Sequence, residues 1–242
     1  MEKISKIANY DVLKKRNFEI DNKKLDYYTL LVCIYSILLV VSQLMGHRML
    51  YVFNLVEPGG IFIFPLVYTI GDIITELYGL ARSKKAVYYA IVSESLFTIL
   101  TCAIIYIPYP SGWNDNQAYQ TVFNYSGIVF IANVTMALIS LIYNAKIIFY
   151  LKNKFKKLPF SIRSFIATTV GELISTGIIV FISFGFSMSH SAAFHLFINM
   201  IIFKMIYAVF AMLPASWVVN LIRLKEQNKS IKSIFSILVT SE

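Results

Sequence analysis

The chain has 242 residues, of which 57% are apolar and only 14% are charged. A soluble domain carries about 25% charged residues, so this composition excludes an ordinary soluble enzyme, a disordered chain and a secreted disulfide scaffold. The net charge of +9 comes from 22 Lys and Arg residues against 13 Asp and Glu residues, and its meaning depends on where these residues lie along the chain.

Six predominantly apolar segments are long enough to cross the hydrocarbon core of a bilayer, which takes about 20 helical residues each. They lie near Tyr27–Met45, Gly59–Tyr78, Ala86–Ile107, Gly127–Leu151, Ser164–Phe186 and Ala193–Ile222. The pattern predicts an all-α, polytopic membrane protein with a basic N-terminal segment (1–26), a six-helix transmembrane domain (27–222) and a C-terminal tail (223–242).

Prolines predict irregularities in these helices. Pro65 removes a backbone hydrogen bond and clashes with the preceding turn, so we expect the second helix to be discontinuous inside the membrane. We expect the same of the fifth helix. Pro214 predicts that the long sixth helix kinks or ends early.

The basic residues are distributed very unevenly between the two sides of the predicted bundle. All but Arg48, Lys146 and Lys204 precede the first span, follow the last, or lie in the second-to-third and fourth-to-fifth connections. Because cytoplasmic loops are enriched in Lys and Arg, both termini are expected in the cytoplasm. The positive charge therefore reports topology, and the expected partner is the lipid bilayer and not a nucleic acid.

A short segment occurs twice, at an offset of 100 residues. Thr69–Thr75 (TIGDIIT) and Thr169–Ser175 (TVGELIS) share three identical positions and carry an acid at the same place. With three spans per half, the two copies would run in opposite directions, which is typical of inverted-repeat transporters with a substrate site near the midplane. Chance similarity between short apolar strings is the alternative.

Six ionisable side chains fall inside the predicted spans: Asp72, Glu76, Glu94, Lys146, Glu172 and Lys204. A charge at the centre of a span costs on the order of 3 kcal/mol, so these groups should face one another, line a polar cavity or be protonated. Asp72 and Glu76 are four residues apart and share one helical face. Such a pair can accept the paired N–H donors of a guanine-like heterocycle or carry a coupling proton. The alternatives are a helix cap for Asp72 and an ion pair with Arg82 for Glu76.

Lys204 lies near the middle of the last span, where it either pairs with Glu172 or Glu94 or contacts a substrate. Aromatic faces and amide groups would complete a site for a planar heterocycle, unless they serve ordinary helix packing. The candidate substrate site consists of Asp72, Glu76, Phe64, Tyr68, Glu172, Lys204, Gln43 and Asn144.

The string from Phe64 to Gly79 (FPLVYTIGDIITELYG), followed by the basic Arg82, Lys84 and Lys85, closely resembles the signature of the queuosine precursor transporters. These belong to a vitamin-uptake-like family of six-span bacterial membrane proteins. The likeness extends more loosely to the stretch from Arg163 to Glu172 and to Lys204 before Pro214. Members often carry an acid followed by Thr where this chain has Ser175-Thr176, and this departure leaves the substrate preference open.

The resemblance implies uptake of a 7-deazaguanine across the bacterial inner membrane: 7-cyano-7-deazaguanine, its 7-aminomethyl relative or queuine. On this hypothesis Asp72 or Glu76 reads the guanine edge, while Phe64 and Tyr68 stack on the ring. Glu172 and Lys204 would form the facing half of the site, which alternating access exposes to each side in turn. Proton coupling and a homodimer remain open.

Two other classes compete with a secondary transporter. A substrate-binding membrane subunit of an ATP-driven vitamin importer also has six spans, but no motif for docking an ATPase module is recognisable here. An intramembrane protease is disfavoured, because Thr69–Asp72 lacks the first Gly of Gly-x-Gly-Asp and Gly185–Met188 lacks the last Gly of Gly-x-Ser-Gly. We therefore expect no enzymatic activity, no catalytic residue, no metal site and no cofactor.

Overall fold

The computed structural model describes residues 27–46, 48–52, 55–123 and 126–239, and only the backbone of residues 126 and 226–239. The predicted N-terminal segment (1–26) lies outside the described residues. In chain order the elements are α1 (Tyr27–Met45), β1 (Met49–Val52), β2 (Leu55–Pro58), a 3₁₀ turn (Gly59–Phe62), α2 (Phe64–Ile105), α3 (Asn116–Phe123), α4 (Ser126–Met136), a π-helical segment (Ala137–Leu141), α5 (Ile142–Lys154), α6 (Phe160–Ile179), a second π-helical segment (Val180–Phe184) and α7 (His190–Val239).

Five helical segments of the described chain are long and apolar enough to cross a membrane: Tyr27–Met45, Gly59–Ile105, Asn116–Lys154, Phe160–Phe184 and His190–Lys225. Large apolar side chains such as Ile37, Leu96, Ile131, Phe181 and Phe210 are exposed on these helices. So much exposed apolar surface suits a lipid environment, because soluble monomers rarely expose large contiguous apolar patches.

The 47-residue segment Gly59–Ile105 is bent back on itself at Gly79. Gly79 has φ 80° and ψ 173°, a conformation that glycine adopts without a steric penalty. The Thr75 and Ser83 hydroxyl oxygens lie 2.8 Å apart, whereas residues eight apart in a straight helix are separated by about 12 Å along its axis. Thus α2 consists of two arms, residues 64–78 and 80–105, that meet as a helical hairpin.

The first helix runs parallel to the second arm of α2. The Tyr28 hydroxyl donates to the Arg82 carbonyl oxygen (2.9 Å), and Gln43 Nε2 donates to Thr98 Oγ1 (2.7 Å). Contacts therefore advance along both elements in the same direction, while the first arm of α2 runs the opposite way. This alternation agrees with the first three predicted spans, and six crossings of the membrane stays a prediction.

The fold is mostly helical, as expected, but residues 49–58 are an exception. Residues 49–58 form an antiparallel hairpin in which Leu50 lies opposite Glu57. The break expected in the second predicted helix lies at its start. The hairpin and the 3₁₀ turn come before Ile63, and the regular helix α2 begins at Phe64 and includes Pro65. Pro65 lies in the first turn of α2, where its missing N–H would have no intrahelical partner in any case.

Two further irregularities differ from expectation. The fifth predicted helix is not broken near Glu172, because α6 is continuous from Phe160 to Ile179 and then widens into the π-helical segment. The last helix does not end at Pro214 but continues to Val239, through most of the predicted tail. Membrane helices tolerate an interior proline because neighbouring groups satisfy the freed carbonyl.

Candidate functional site

Four of the predicted site residues lie on one buried face of the first arm of α2. Phe64, Tyr68, Asp72 and Glu76 follow one another at four-residue spacing, which places them one above the other along about 18 Å of helix. Each is buried. We call this row the α2 strip, and its partners come from α5, α6 and α7.

At one end of the α2 strip lies an ion pair between two fully buried side chains. Lys204 Nζ on α7 donates to Glu172 Oε2 on α6 at 2.7 Å and to Thr176 Oγ1 at 3.1 Å. The same ammonium lies 5.0 Å from the centre of the Phe64 ring, within the range of a cation–π interaction. The pairing of Lys204 with Glu172, one of the two readings of the sequence, is therefore present, and Lys204 also contacts an aromatic residue of the strip.

Tyr68 occupies the next position of the strip and depends on a glycine of α6. Its hydroxyl donates to Ser140 Oγ at 3.0 Å. A Cβ atom built on Gly171 would lie only 2.6 Å from Tyr68 Cε1, so the ring packs directly against the α6 backbone. This close approach explains why a glycine precedes Glu172 in the second copy of the repeat.

Asp72 is saturated with hydrogen-bond donors from other helices. Asn144 Nδ2 on α5 donates to Oδ1, and the hydroxyls of Ser164 and Thr168 on α6 donate to Oδ2, the latter at 3.0 Å. Helix α2 is regular here, so Asp72 does not cap a break at Gly71. Its carboxylate instead links α2 to α5 and α6 within the core.

At the other end of the strip, Glu76 is held by three basic side chains from three helices. Arg163 Nη2 on α6 donates to Glu76 Oε1 at 3.0 Å, and Arg223 Nη2 on α7 donates to the same oxygen. Lys152 Nζ on α5 lies 3.6 Å from it and donates to the Glu76 carbonyl. We call these four residues the basic hub, and the ion pair with Arg82 that the sequence allowed is replaced by these partners.

The two copies of the repeated segment pack in opposite directions. Tyr68 contacts Gly171, Asp72 contacts Thr168 and Ser164, and Glu76 contacts Arg163, so contacts advance along α2 as they recede along α6. This is the relative orientation expected of inverted halves. The full three-plus-three repeat stays a prediction.

The structure joins one predicted site residue to a different pair of helical segments and adds other residues to the site. Gln43 bonds to Thr98 between α1 and the second arm of α2. The sequence predicts no role for Ser164 or Thr168. Lys152 and Arg223 enter the prediction only as topology signals, and Arg163 also begins a stretch that resembles the transporter family. Ser and Thr are common in membrane helices, so nothing in the sequence singled them out.

A buried carboxyl that the sequence analysis did not assign lies just before the strip. Glu57 is the penultimate residue of β2 and has only 1% of its surface exposed, and neither of its oxygens has a hydrogen-bond partner within the described residues. Burial raises the pKa of Glu57 to about 7, and the nearby Lys204 ammonium lowers it. Its immediate neighbours help to line a small cavity.

The space around the strip is small at one end and open at the other. A cavity of about 20 Å³, bordered by Pro58, Gly60, Phe64, Asn133 and Met200, has room for about one water molecule. A larger, basic pocket of about 370 Å³ opens beside the basic hub and includes Lys156, Lys157, Arg163 and Arg223. The basic hub therefore separates the buried strip from an accessible basic pocket.

Comparison with protein families identifies the class of this chain. A family model described as "Putative vitamin uptake transporter" matches residues 58–222, more than half of the sequence. The chain belongs to this family. The matched region contains the whole α2 strip and its partners on α5, α6 and α7 apart from Arg223, while Glu57 lies one residue before it. Searches of curated proteins and of solved structures gave no match. A transporter family and several long apolar helices together make this a multi-pass membrane protein.

Proposed function

We propose that this protein is a secondary transporter that imports a 7-deazaguanine precursor of queuosine into the bacterial cytoplasm. The observation that carries the proposal is the α2 strip, which places two aromatic rings and two carboxyl groups on one buried helical face. The aromatic end of this face, where Phe64 borders a cavity, suits a planar guest, and its acids tie the surrounding helices together. The substrate class rests on the resemblance of residues 64–79 to the queuosine precursor transporters.

On this proposal the two carboxylates of the strip have different tasks. Asp72 accepts hydrogen bonds at both oxygens from α5 and α6, so its role is to hold the polar middle of the pathway together. Glu76 is occupied by Arg163 and Arg223, and is therefore poorly placed to read a neutral base. We assign Glu76 to a gate that closes the pathway toward the basic pocket.

The two ends of the α2 strip indicate how access could alternate between the two sides of the membrane. The cavity beside Phe64 is far smaller than the roughly 300–1,000 Å³ of typical ligand sites, and we therefore assign this conformation to a closed state of the proposed transport cycle. Separating Glu76 from its basic partners would connect the strip to the basic pocket. Since that pocket is rich in Lys and Arg, the proposed orientation places it on the cytoplasmic side, together with both termini.

The test is uptake by the purified chain alone. Radiolabelled 7-cyano-7-deazaguanine, 7-aminomethyl-7-deazaguanine and queuine would be offered to proteoliposomes, with and without a pH gradient. We expect saturable uptake of at least one base, and acceleration by the gradient would show proton coupling. Asp72→Asn should abolish this uptake by disturbing donors on α5 and α6, whereas Asp115→Asn, at an exposed position, should leave it unchanged.

Absence of uptake for all three bases by a monodisperse preparation would contradict the proposal. If uptake appeared only after a separate ATPase module was added, the chain would be a subunit of an ATP-driven importer and the secondary mechanism would be wrong. Full activity of Asp72→Asn would remove the α2 strip from the pathway.

A further inference from the structure

The buried acids of the described chain differ in how many of their oxygens are already bonded. Asp72 accepts at both oxygens, and Glu76, Glu94 and Glu172 each accept at one. Both oxygens of Glu57 lack a hydrogen-bond partner within the described residues. Among the buried acids of the described residues, Glu57 is thus the one whose two carboxyl oxygens both accept no hydrogen bond.

Leaving a buried carboxylate without donors is unfavourable, because its desolvation is not compensated. An apolar residue of similar size would suit a purely structural position better. The other buried acids show that the fold supplies donors where an acid is structural: Asn133 Nδ2 donates to Glu94 at 2.7 Å, for example. Because the described residues supply no donor to either oxygen of Glu57, its carboxyl group is open to a partner that carries paired N–H groups.

The surroundings of Glu57 describe that partner. Glu57 is followed by Pro58 and two glycines, and a Cβ on Gly59 would come within 3.0 Å of the Met45 carbonyl oxygen, so the backbone here is closely packed. Pro58, Gly60 and the Phe64 ring all border the small cavity. The Lys204 ammonium lies 5.0 Å from the centre of the Phe64 ring, and its charge also acts on Glu57, whose pKa it lowers. A carboxyl group and an aromatic ring near one cation, beside this cavity, suit a flat heterocycle with N–H donors on its rim.

We propose that the carboxylate of Glu57, and not Asp72 or Glu76, accepts the two parallel N–H donors on the pyrimidine edge of the transported base. This inference rests on the proposed function and names its specificity-determining residue. The ring N1–H and the exocyclic N2–H₂ of a guanine-type edge match the two oxygens of one carboxylate, which is the bidentate geometry that carboxylates use with other paired donors. The base edge would enter as the cavity beside Phe64 widens.

Charge supports this assignment. The proximity of Lys204 favours the ionised carboxylate, while burial disfavours it and leaves the pKa of Glu57 near 7. Two donors from a bound base favour the ionised form further. The carboxyl can therefore be neutral while the site is closed and ionised when the base is bound, which avoids an unpaired buried charge in the closed state.

The first test uses the unmodified protein and three ligands. Equilibrium binding would be measured for 7-cyano-7-deazaguanine, for its analogue without the 2-amino group and for its N1-methyl analogue. We expect each analogue to bind about tenfold to a hundredfold more weakly, because each loses one hydrogen bond to a charged acceptor. Equal binding of the three would overturn this inference and leave the proposed transport intact. If 7-cyano-7-deazaguanine, 7-aminomethyl-7-deazaguanine and queuine all fail to bind, both the inference and the proposed function would be overturned.

The second test assigns the preference to a residue. Glu57→Gln replaces one acceptor oxygen with an N–H₂ group that meets the base donor to donor, so the preference for the 2-amino base should disappear. Glu57→Asp keeps the carboxylate and should keep the order of affinities with weaker binding. Asp115→Asn, a carboxyl-to-amide change at an exposed position, should keep the full preference. A Glu57→Gln protein that still prefers the 2-amino base by the original factor would overturn the inference. If Glu57→Gln fails to fold, Glu57→Asp and the analogue series decide the question.

Discussion

At the scale of single residues, the ion pair between Lys204 and Glu172 shows why charged side chains are tolerated inside this bundle. Both side chains are fully buried, and their separation is 2.7 Å. Removing both ions from water is expensive, and their attraction offsets this only when the geometry is good and further donors are present. Ser175 and Thr176 provide such contacts, since they bond to Glu172 and Lys204 respectively.

Breaking this pair from one side should therefore destabilise the protein strongly. We expect Lys204→Met or Glu172→Gln alone to lower the free energy of unfolding by about 3–5 kcal/mol, because each leaves a buried group without its partner. The double variant should lose clearly less than the sum of the two single losses. Thermal and denaturant unfolding in detergent would measure this, and strictly additive losses would show that the two side chains are not coupled.

At the scale of helical elements, the contact between the first arm of α2 and α6 depends on the absence of a side chain at one position. Tyr68 contacts the α6 backbone at Gly171, so this glycine sets how closely the first arm of α2 and α6 approach each other. Gly177, on the same helix, has room for a side chain, because a Cβ atom there would lie 3.9 Å from Phe197, an ordinary van der Waals distance. The two glycines form a matched pair for testing helix approach.

Gly171→Ala should separate α2 from α6, because the added methyl group would overlap the Tyr68 ring. Overpacking of this kind costs about 1–3 kcal/mol, and we expect a lower unfolding temperature together with loss of uptake. Gly177→Ala should instead be neutral or stabilising by up to about 1 kcal/mol, since alanine favours helix. Equal behaviour of the two variants would show that the Tyr68 contact does not determine the helix separation.

The elements also show what the sequence could and could not predict. Hydropathy located α1 at Tyr27–Met45, as the structure has it, since a long apolar run has little alternative to a helix. The hairpin of residues 49–58 was missed because two four-residue strands give too short a pattern to distinguish from a loop. At Gly79 the sequence predicted a connection between two spans but not its form. The turn takes a single glycine, and helix continues on both sides of it, so no loop pattern marks the bend.

At the scale of the whole molecule, the sequence located one side of the candidate site and not the other. The spacing of Asp72 and Glu76 placed both acids on one face, as the structure has it. Their partners come from residues far along the chain: Arg163 and Arg223 are 87 and 147 positions from Glu76. Charge distribution predicted the side of the membrane for these residues, but only packing of α2, α6 and α7 brings them to one carboxylate.

The basic hub gives the molecule one place where four helices are joined by a single acid. Glu76 belongs to α2, and its partners Lys152, Arg163 and Arg223 belong to α5, α6 and α7. Glu76→Gln removes the negative charge but keeps the size of the side chain. The three cations then repel one another without a counter-ion, so the helices around the basic pocket should separate and admit water to the strip.

A cysteine placed one residue beyond the hub would report this opening. Ser164 is buried beside Asp72 and next to Arg163, and Ser164→Cys is nearly isosteric. With Cys33 and Cys102 replaced by alanine, we expect slow labelling of position 164 by a membrane-impermeant thiol reagent, and about tenfold faster labelling when Glu76→Gln is added. Glu94→Gln, which removes a buried acid outside the hub, should leave the rate unchanged.

Acceleration should appear in inside-out vesicles and not in intact cells, because the basic pocket is expected to face the cytoplasm. Unchanged labelling in the Glu76→Gln protein would show that the hub is a structural brace, and faster labelling from the outside alone would reverse the proposed orientation.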